Sequence, residues 1–152
     1  MKVQVEIVEE QKEPTIVIQC QQIEESVLQL QSFIQKALVK APSISFFQEG
    51  KEFYLSLNKI LFFETDEATV YAHTSDQVYK VRERLYELEQ CLPDDFLRVS
   101  KSTILNINQV YSIESNLTSY RLVEFYKSHK KVYVSRFYYK NLKHKLEKRR
   151  TL

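Results

Sequence analysis

The chain has 152 residues, 43% of them hydrophobic and 28% charged, with a formal net charge of +2. That length and apolar share suit one folded domain with a small appendage and exclude a disordered chain. A single glycine, Gly50, excludes both a phosphate-cradling P-loop and a dinucleotide GxGxxG turn, each of which needs more than one.

Cys20 and Cys91 stand far apart without metal spacing, and His73, His129 and His144 have no second ligand at a suitable offset. No metal, cofactor or small-molecule substrate is expected. No pair of titratable residues shows catalytic spacing, so no catalytic residue is assigned and an enzyme is not expected. Asp94 and Asp95 follow Pro93 and read as a turn rather than an acid–base pair. There is no signal peptide and no run long enough to span a membrane, so a cytoplasmic protein with reduced thiols is expected. Charge is unevenly distributed: residues 127–150 carry ten Lys/Arg against one acid, Glu147, whereas residues 1–40 carry six acids against four bases. A basic chain end points to a polyanionic partner.

In chain order, residues 2–8 alternate apolar Val3, Val5 and Ile7 with polar neighbours, and residues 15–20 form a second strand candidate. Residues 22–38 place Ile23, Val27, Leu30, Phe33, Ile34, Ala37 and Leu38 at spacings of three and four, which predicts an amphipathic helix. Together these make a β-β-α appendage over residues 1–41, ending in a linker at Pro42. Residues 42–152 then hold many short strands. A hairpin turns at Glu49, Gly50 and Lys51, and apolar residues 59–64 form a strand. Further strands are expected at residues 69–73, 77–81, 109–114, 119–126 and 131–134. A short helix is expected at residues 83–91, and Ser135 is placed to cap a last helix from Arg136 to about residue 148.

Between the short helix and the later strands lies FLRVSKSTILN, residues 96–106. Its polar, cationic middle is flanked by apolar anchors, which reads as a loop or a bent strand. Arg, Lys, Ser and Asn are also the side chains that grip phosphates and base edges. A solvated loop between strands is the plain alternative. Strands every eight to twelve residues, joined by hairpin-length turns, predict a mainly β (α+β) fold of antiparallel sheets with short helices.

From about Pro42 onward the chain resembles a LytTR-type DNA-binding domain. The resemblance rests on an ordered set: ILFFET at residues 60–65, the central FLRVSKSTILN, the strand QVYSIE, and VYVSRFYYKNLKHKL near the end. The family's central pattern is close to F-x-R-x-H-R-S-x-x-x-N, met here by Phe96, Arg98, Ser100, Lys101, Ser102 and Asn106. The resemblance implies a ten-stranded β fold that lays loops into successive major grooves of double-stranded DNA, in a bacterial transcriptional regulator. By position, its base-reading loops fall near residues 66–70, which include Thr69, on Lys101 and on Arg136.

This chain departs from the family in three ways. Ser100 replaces the common His, and Lys101 replaces Arg and lacks the bidentate fork that suits guanine. Asp66 and Glu67 make the first reading loop acidic and without glycine.

Arg98, Ser102, Lys130, Lys131, Lys140 and Lys143 are candidate phosphate clamps. Each has a blander reading. Arg98 could instead pair with Glu64 or Asp95, Asn106 could fix a turn, and residues 143–150 could be a solvated helix face. A fused receiver domain is not expected, because the residues before Pro42 number about 40 and contain no Asp. The resemblance further implies a small membrane-protein inhibitor as a partner, and a homodimer on DNA is the other expected assembly. The competing expectation is a basic protein-interaction module that contacts an acidic partner or a membrane surface.

Overall fold

The structure is a computed structural model that describes residues 15–38, 43–114 and 120–150. It divides into two compact units, Met1–Lys40 and Ala41–Leu152. The expected strand at residues 2–8 lies outside the described residues. Residues 15–20, expected as a strand, form no ladder, and Ile16 and Val17 are exposed. Alternating composition alone does not make a strand; the backbone needs a partner to bond. The helix of this unit, α1 (Glu25–Leu38), starts where the Glu24 carbonyl accepts from the amides of Val27 and Leu28. It begins three residues later than expected, and Val27, Leu30 and Ile34 are half-buried along one stripe, whereas Ile23, Phe33 and Ala37, also expected on the apolar face, are exposed.

The second unit contains ten strands among the described residues. Seven antiparallel strands form one sheet: β1 (Phe46–Gln48), β2 (Lys51–Phe53), β3 (Phe62–Asp66), β4 (Thr69–His73), β5 (Val78–Val81), β6 (Phe96–Arg98) and β7 (Thr103–Asn106), in the order β2-β1-β5-β4-β3-β7-β6. The other three, β8 (Val110–Glu114), β9 (Arg121–Phe125) and β10 (Lys131–Val134), form a small sheet in the order β10-β9-β8. The β1–β2 turn has φ of 50° at Glu49 and 74° at Gly50, the paired left-handed conformation that a two-residue hairpin requires.

Both faces of the large sheet are covered, which explains its uninterrupted apolar run at residues 60–63. Successive side chains point to opposite faces. Phe63 and Ile104 therefore join one core with Ile60, Val70, Ala72 and the Leu85 and Leu88 of helix α2 (Leu85–Cys91). Phe62 and Leu105 join the other, with Val123, Val132, Val134 and the Leu142 of helix α3 (Arg136–Arg150). α2 starts two residues later than expected, where the Arg84 amide donates to Glu87 Oε2 at 2.7 Å.

Asn106 is buried between these layers. Its Nδ2 donates to the Ile60 carbonyl at 3.0 Å and its Oδ1 accepts from the Asn108 amide at 3.0 Å. Of its two readings, the structural one holds: this side chain turns the chain out of β7.

Candidate nucleic-acid interface

The stretch at residues 96–106 folds as a hairpin of β6 and β7, with Phe96 opposite Asn106 and Arg98 opposite Ile104. Its tip, residues 99–102, closes through the amides of Val99 and Ser100, both directed at the Thr103 carbonyl, and through the Ser102 amide on Ser100 Oγ at 3.2 Å. The polar middle of the sequence is thus a turn between the part-buried edge strand β6 and β7, which is buried on both faces.

Two backbone hydrogen bonds tie this turn to its neighbours. The Thr65 amide donates to the Ser102 carbonyl at 2.8 Å, which fastens the turn beside the β3–β4 connection at Asp66 and Glu67. The Ser135 amide donates to the Val99 carbonyl at 2.9 Å, which fastens it beside the start of α3. Ser135 in turn begins that helix, its carbonyl accepting from the amides of Tyr138 and Tyr139 at 3.1 Å. Three segments distant in sequence therefore meet on one rim. Lys101 and Ser102 are exposed on the turn, Arg136 is exposed as the first residue of α3, and Thr69 is half-buried at the start of β4. Between the turn and β10 lies an open cavity of about 330 Å³, lined among others by Ser100, Ser102, Lys131, Tyr133 and Ser135.

The other predicted cations differ in how much they are already engaged. Arg98 is the most committed. Its Nε donates to the Ser100 carbonyl at 2.6 Å, its Nη2 to the Lys101 carbonyl, and its Nη1 to Glu89 Oε2 at 2.9 Å. The carboxylate is that of Glu89 on α2, neither Glu64 nor Asp95. Lys130 extends across to the β4–β5 turn, its Nζ donating to the Gln77 carbonyl at 2.8 Å, while Ser128 Oγ donates to the Ser75 carbonyl at 3.1 Å. Lys131 is exposed and lies 3.6 Å from Glu124 Oε1 on the paired strand. Lys140 is exposed on α3, and Lys143 Nζ stands 4.0 Å from Glu147 one turn on.

The Lys130 ammonium faces a buried polar junction. His73 stacks on Phe62 at 4.2 Å between ring centres, with its side chain only 13% exposed. Its Nε2 is 3.0 Å from Glu64 Oε1, yet neither ring nitrogen makes a hydrogen bond, so this contact is proximity without alignment. Burial, helped by Lys130, pushes the imidazole pKa down to about 4, so the ring is neutral near pH 7 and the pair is not an ion pair there. Burial and Asp66 push the Glu64 carboxyl up, against a smaller opposing effect of Lys130. Burial lowers the Lys130 ammonium, with Asp76 and Glu64 acting the other way. Among the described residues no group of His, Cys, Asp or Glu could hold a metal ion, and no helix is long and apolar enough to cross a membrane.

Sequence reasoning missed the Glu89 partner of Arg98 and the engagement of Lys130; Phe137, part of the family's closing signature with Ser135 and Arg136, is 85% exposed directly beside Arg136.

Residues 50–147 match the LytTR family, described as the LytTr DNA-binding domain. The chain is similar to uncharacterized HTH-type transcriptional regulators of Staphylococcus aureus. Those of strains COL and MW2 are each 37% identical over 93 residues, covering 60% of this chain and 62% of their own length. The matched region is therefore under two thirds of those relatives. Among solved structures, the LytTr DNA-binding domain of a methyl-accepting/DNA response regulator from Bacillus cereus superposes with a TM-score of 0.62. It is 22% identical and covers 68% of this chain and 95% of its own, which establishes a shared fold.

Proposed function

The chain belongs to the LytTR family of DNA-binding domains, and from that premise we propose that it is a sequence-specific transcriptional regulator. On this reading it reads the major groove of duplex DNA through the rim that carries Lys101 and Arg136. The observation that carries the proposal is the backbone bond from the Ser135 amide to the Val99 carbonyl, which holds these two exposed cations on adjoining segments, while the Thr65 amide on the Ser102 carbonyl ties the same turn to the β3–β4 connection. The Arg136 guanidinium suits bidentate contact with guanine O6 and N7, while the Lys101 ammonium offers a single rotating point charge. Ser102 and Thr69 supply short hydroxyl contacts. Lys131 and Lys140, both exposed, suit phosphate contacts that set register without reading sequence. Two copies on one duplex, side by side on repeated sites about one helical turn apart, would suit a domain this small.

Selection of bound duplexes from a random pool tests the proposal. A recurring motif is expected, and Lys101→Ala and Arg136→Ala should each weaken binding to it by about 1–3 kcal/mol and relax one position of the motif. Recovery of no motif, or wild-type binding by both variants, would refute it.

A second reading is favoured by the groove of about 480 Å³ between β8 and α3, where Tyr111, Tyr126 and Tyr139 lie beside Lys143 and Arg149. Glu147 also lines the groove beside Lys143, and Arg149 already donates to the Ile107 carbonyl, so it is the aromatic surface more than free charge that suits an interaction module with a protein partner. That reading predicts salt-sensitive protein binding with no preference among DNA sequences.

A further inference from the structure

We propose that Arg98 and Glu89 are positioning residues that set the direction of Lys101, and that Arg98 touches no phosphate. This rests on the reading of Lys101 as a base-contacting side chain.

Peptide geometry gives the reason. The Ser100 and Lys101 carbonyls belong to the two peptide planes on either side of the Lys101 Cα. Arg98 donates to both, through Nε and Nη2 of one rigid guanidinium plane. Pinning both planes fixes φ and ψ of Lys101, and with them the direction in which its Cβ leaves the backbone. The long side chain keeps its own rotamers, but its point of departure is set.

The guanidinium itself is anchored from behind. Its third contact is Nη1 on Glu89 Oε2, at 2.9 Å. Glu89 lies on α2, which is fastened into the core by Leu85 and Leu88, the latter fully buried. Support therefore runs from the core through α2, Glu89 and Arg98 to the Lys101 backbone. The Arg98 side chain is only 19% exposed, so contact with a phosphate would mean breaking bonds that shape the turn. Lysine could not replace it, because one ammonium does not match two consecutive carbonyls and a carboxylate in a single plane.

A double-mutant cycle tests the assignment, using the full chain, the selected duplex, and a duplex altered at the position that Lys101→Ala relaxes. Ordering one long side chain is worth roughly a 2- to 12-fold change in affinity, so Arg98→Lys should reduce discrimination between the duplexes by about that factor. In the Lys101→Ala background the same change should have no further effect. Glu89→Ala should behave as Arg98→Lys does, and Glu89→Gln, whose amide oxygen still accepts, should restore discrimination. Because Glu89 is a half-exposed residue on α2, its variants keep the core intact even if Arg98 variants fold poorly. Arg98→Gln should leave the slope of log affinity against log salt unchanged.

Equal losses of Arg98→Lys with and without Lys101, or a slope reduced by about 0.9 in Arg98→Gln, would overturn the positioning role and leave the DNA-reading rim standing. A wild-type chain without sequence preference would overturn the reading beneath it, and this inference with it.

Discussion

The turn at residues 99–102 carries one exposed cation, Lys101, whereas α3 carries Arg136, Lys140, Lys143, Lys145, Lys148 and Arg149. By charge alone the helix is the stronger candidate for a polyanion. The contacts reverse that ranking for much of its length. Lys145 Nζ donates to the Asp94 carbonyl at 3.2 Å, Arg149 Nη1 to the Ile107 carbonyl at 2.7 Å, and Lys143 stands beside Glu147. The far half of α3 uses cations to fasten itself to the domain, while the turn uses one cation, Arg98, to aim another. Charge density reports the field around a molecule, but base recognition depends on a side chain leaving a fixed backbone in a fixed direction.

The largest expected effect tests how α3 is held. Leu142 is fully buried in the core it shares with Val123, Val132 and Val134. Leu142→Ala should cost about 2–5 kcal/mol of stability, read as a lower urea midpoint. A loss below about 1 kcal/mol would mean that the Lys145 and Arg149 bonds, rather than apolar packing, hold the helix and its Arg136 in place.

The next effect separates Lys130 from the cations proposed to read DNA. His73 has its folded pKa lowered to about 4, against an ordinary 6.5. Between those values the unfolded chain binds more protons, so the neutral ring's contribution is complete above pH 6.5 and is lost as pH falls towards 4. The loss is at most on the order of 3 kcal/mol. The raised Glu64 carboxyl works in the opposite sense as pH falls, and offsets part of it. His73→Phe should flatten the dependence of the urea midpoint on pH over this range. Lys130→Met should move the His73 pKa upward, followed by NMR of the ring protons. An unmoved His73 in that variant would place the Lys130 charge away from the junction and return it to the set of DNA contacts.

Much of the fold was legible because strands buried on both faces leave an uninterrupted apolar run, as at residues 60–63, and hairpin turns leave Gly and polar punctuation. The hairpin at residues 96–106 was not legible as two strands. Its strands are only three and four residues long, too short for alternation to register beside the polar turn residues Ser100, Lys101 and Ser102. The Glu89–Arg98 pair joins a helix to a strand nine residues on, and nearer or better-known acids, Asp95 and Glu64, competed for it. Lys130 bonds a backbone carbonyl 53 residues away, which no side-chain pattern encodes. Lys101 and Arg136 stand 35 positions apart, and only the family resemblance grouped them; the Ser135–Val99 backbone bond is what joins the segments that carry them.

The smallest expected effect bears on the contrast most directly. Each cation that neutralises a phosphate steepens the negative slope of log affinity against log salt by about 0.9, whatever the DNA sequence. Lys140, exposed on the half of α3 nearer Arg136, should make that slope shallower by about 0.9 when changed to Gln. Lys145→Gln and Arg149→Gln should leave it unchanged, because their nitrogens already sit on the Asp94 and Ile107 carbonyls and DNA would have to displace them. Binding measured at four or five salt concentrations on one duplex decides the matter without knowledge of which bases are read. Equal slope losses at all three positions would lay the whole helix along the phosphates, and the difference between the fastened helix and the aimed turn would disappear.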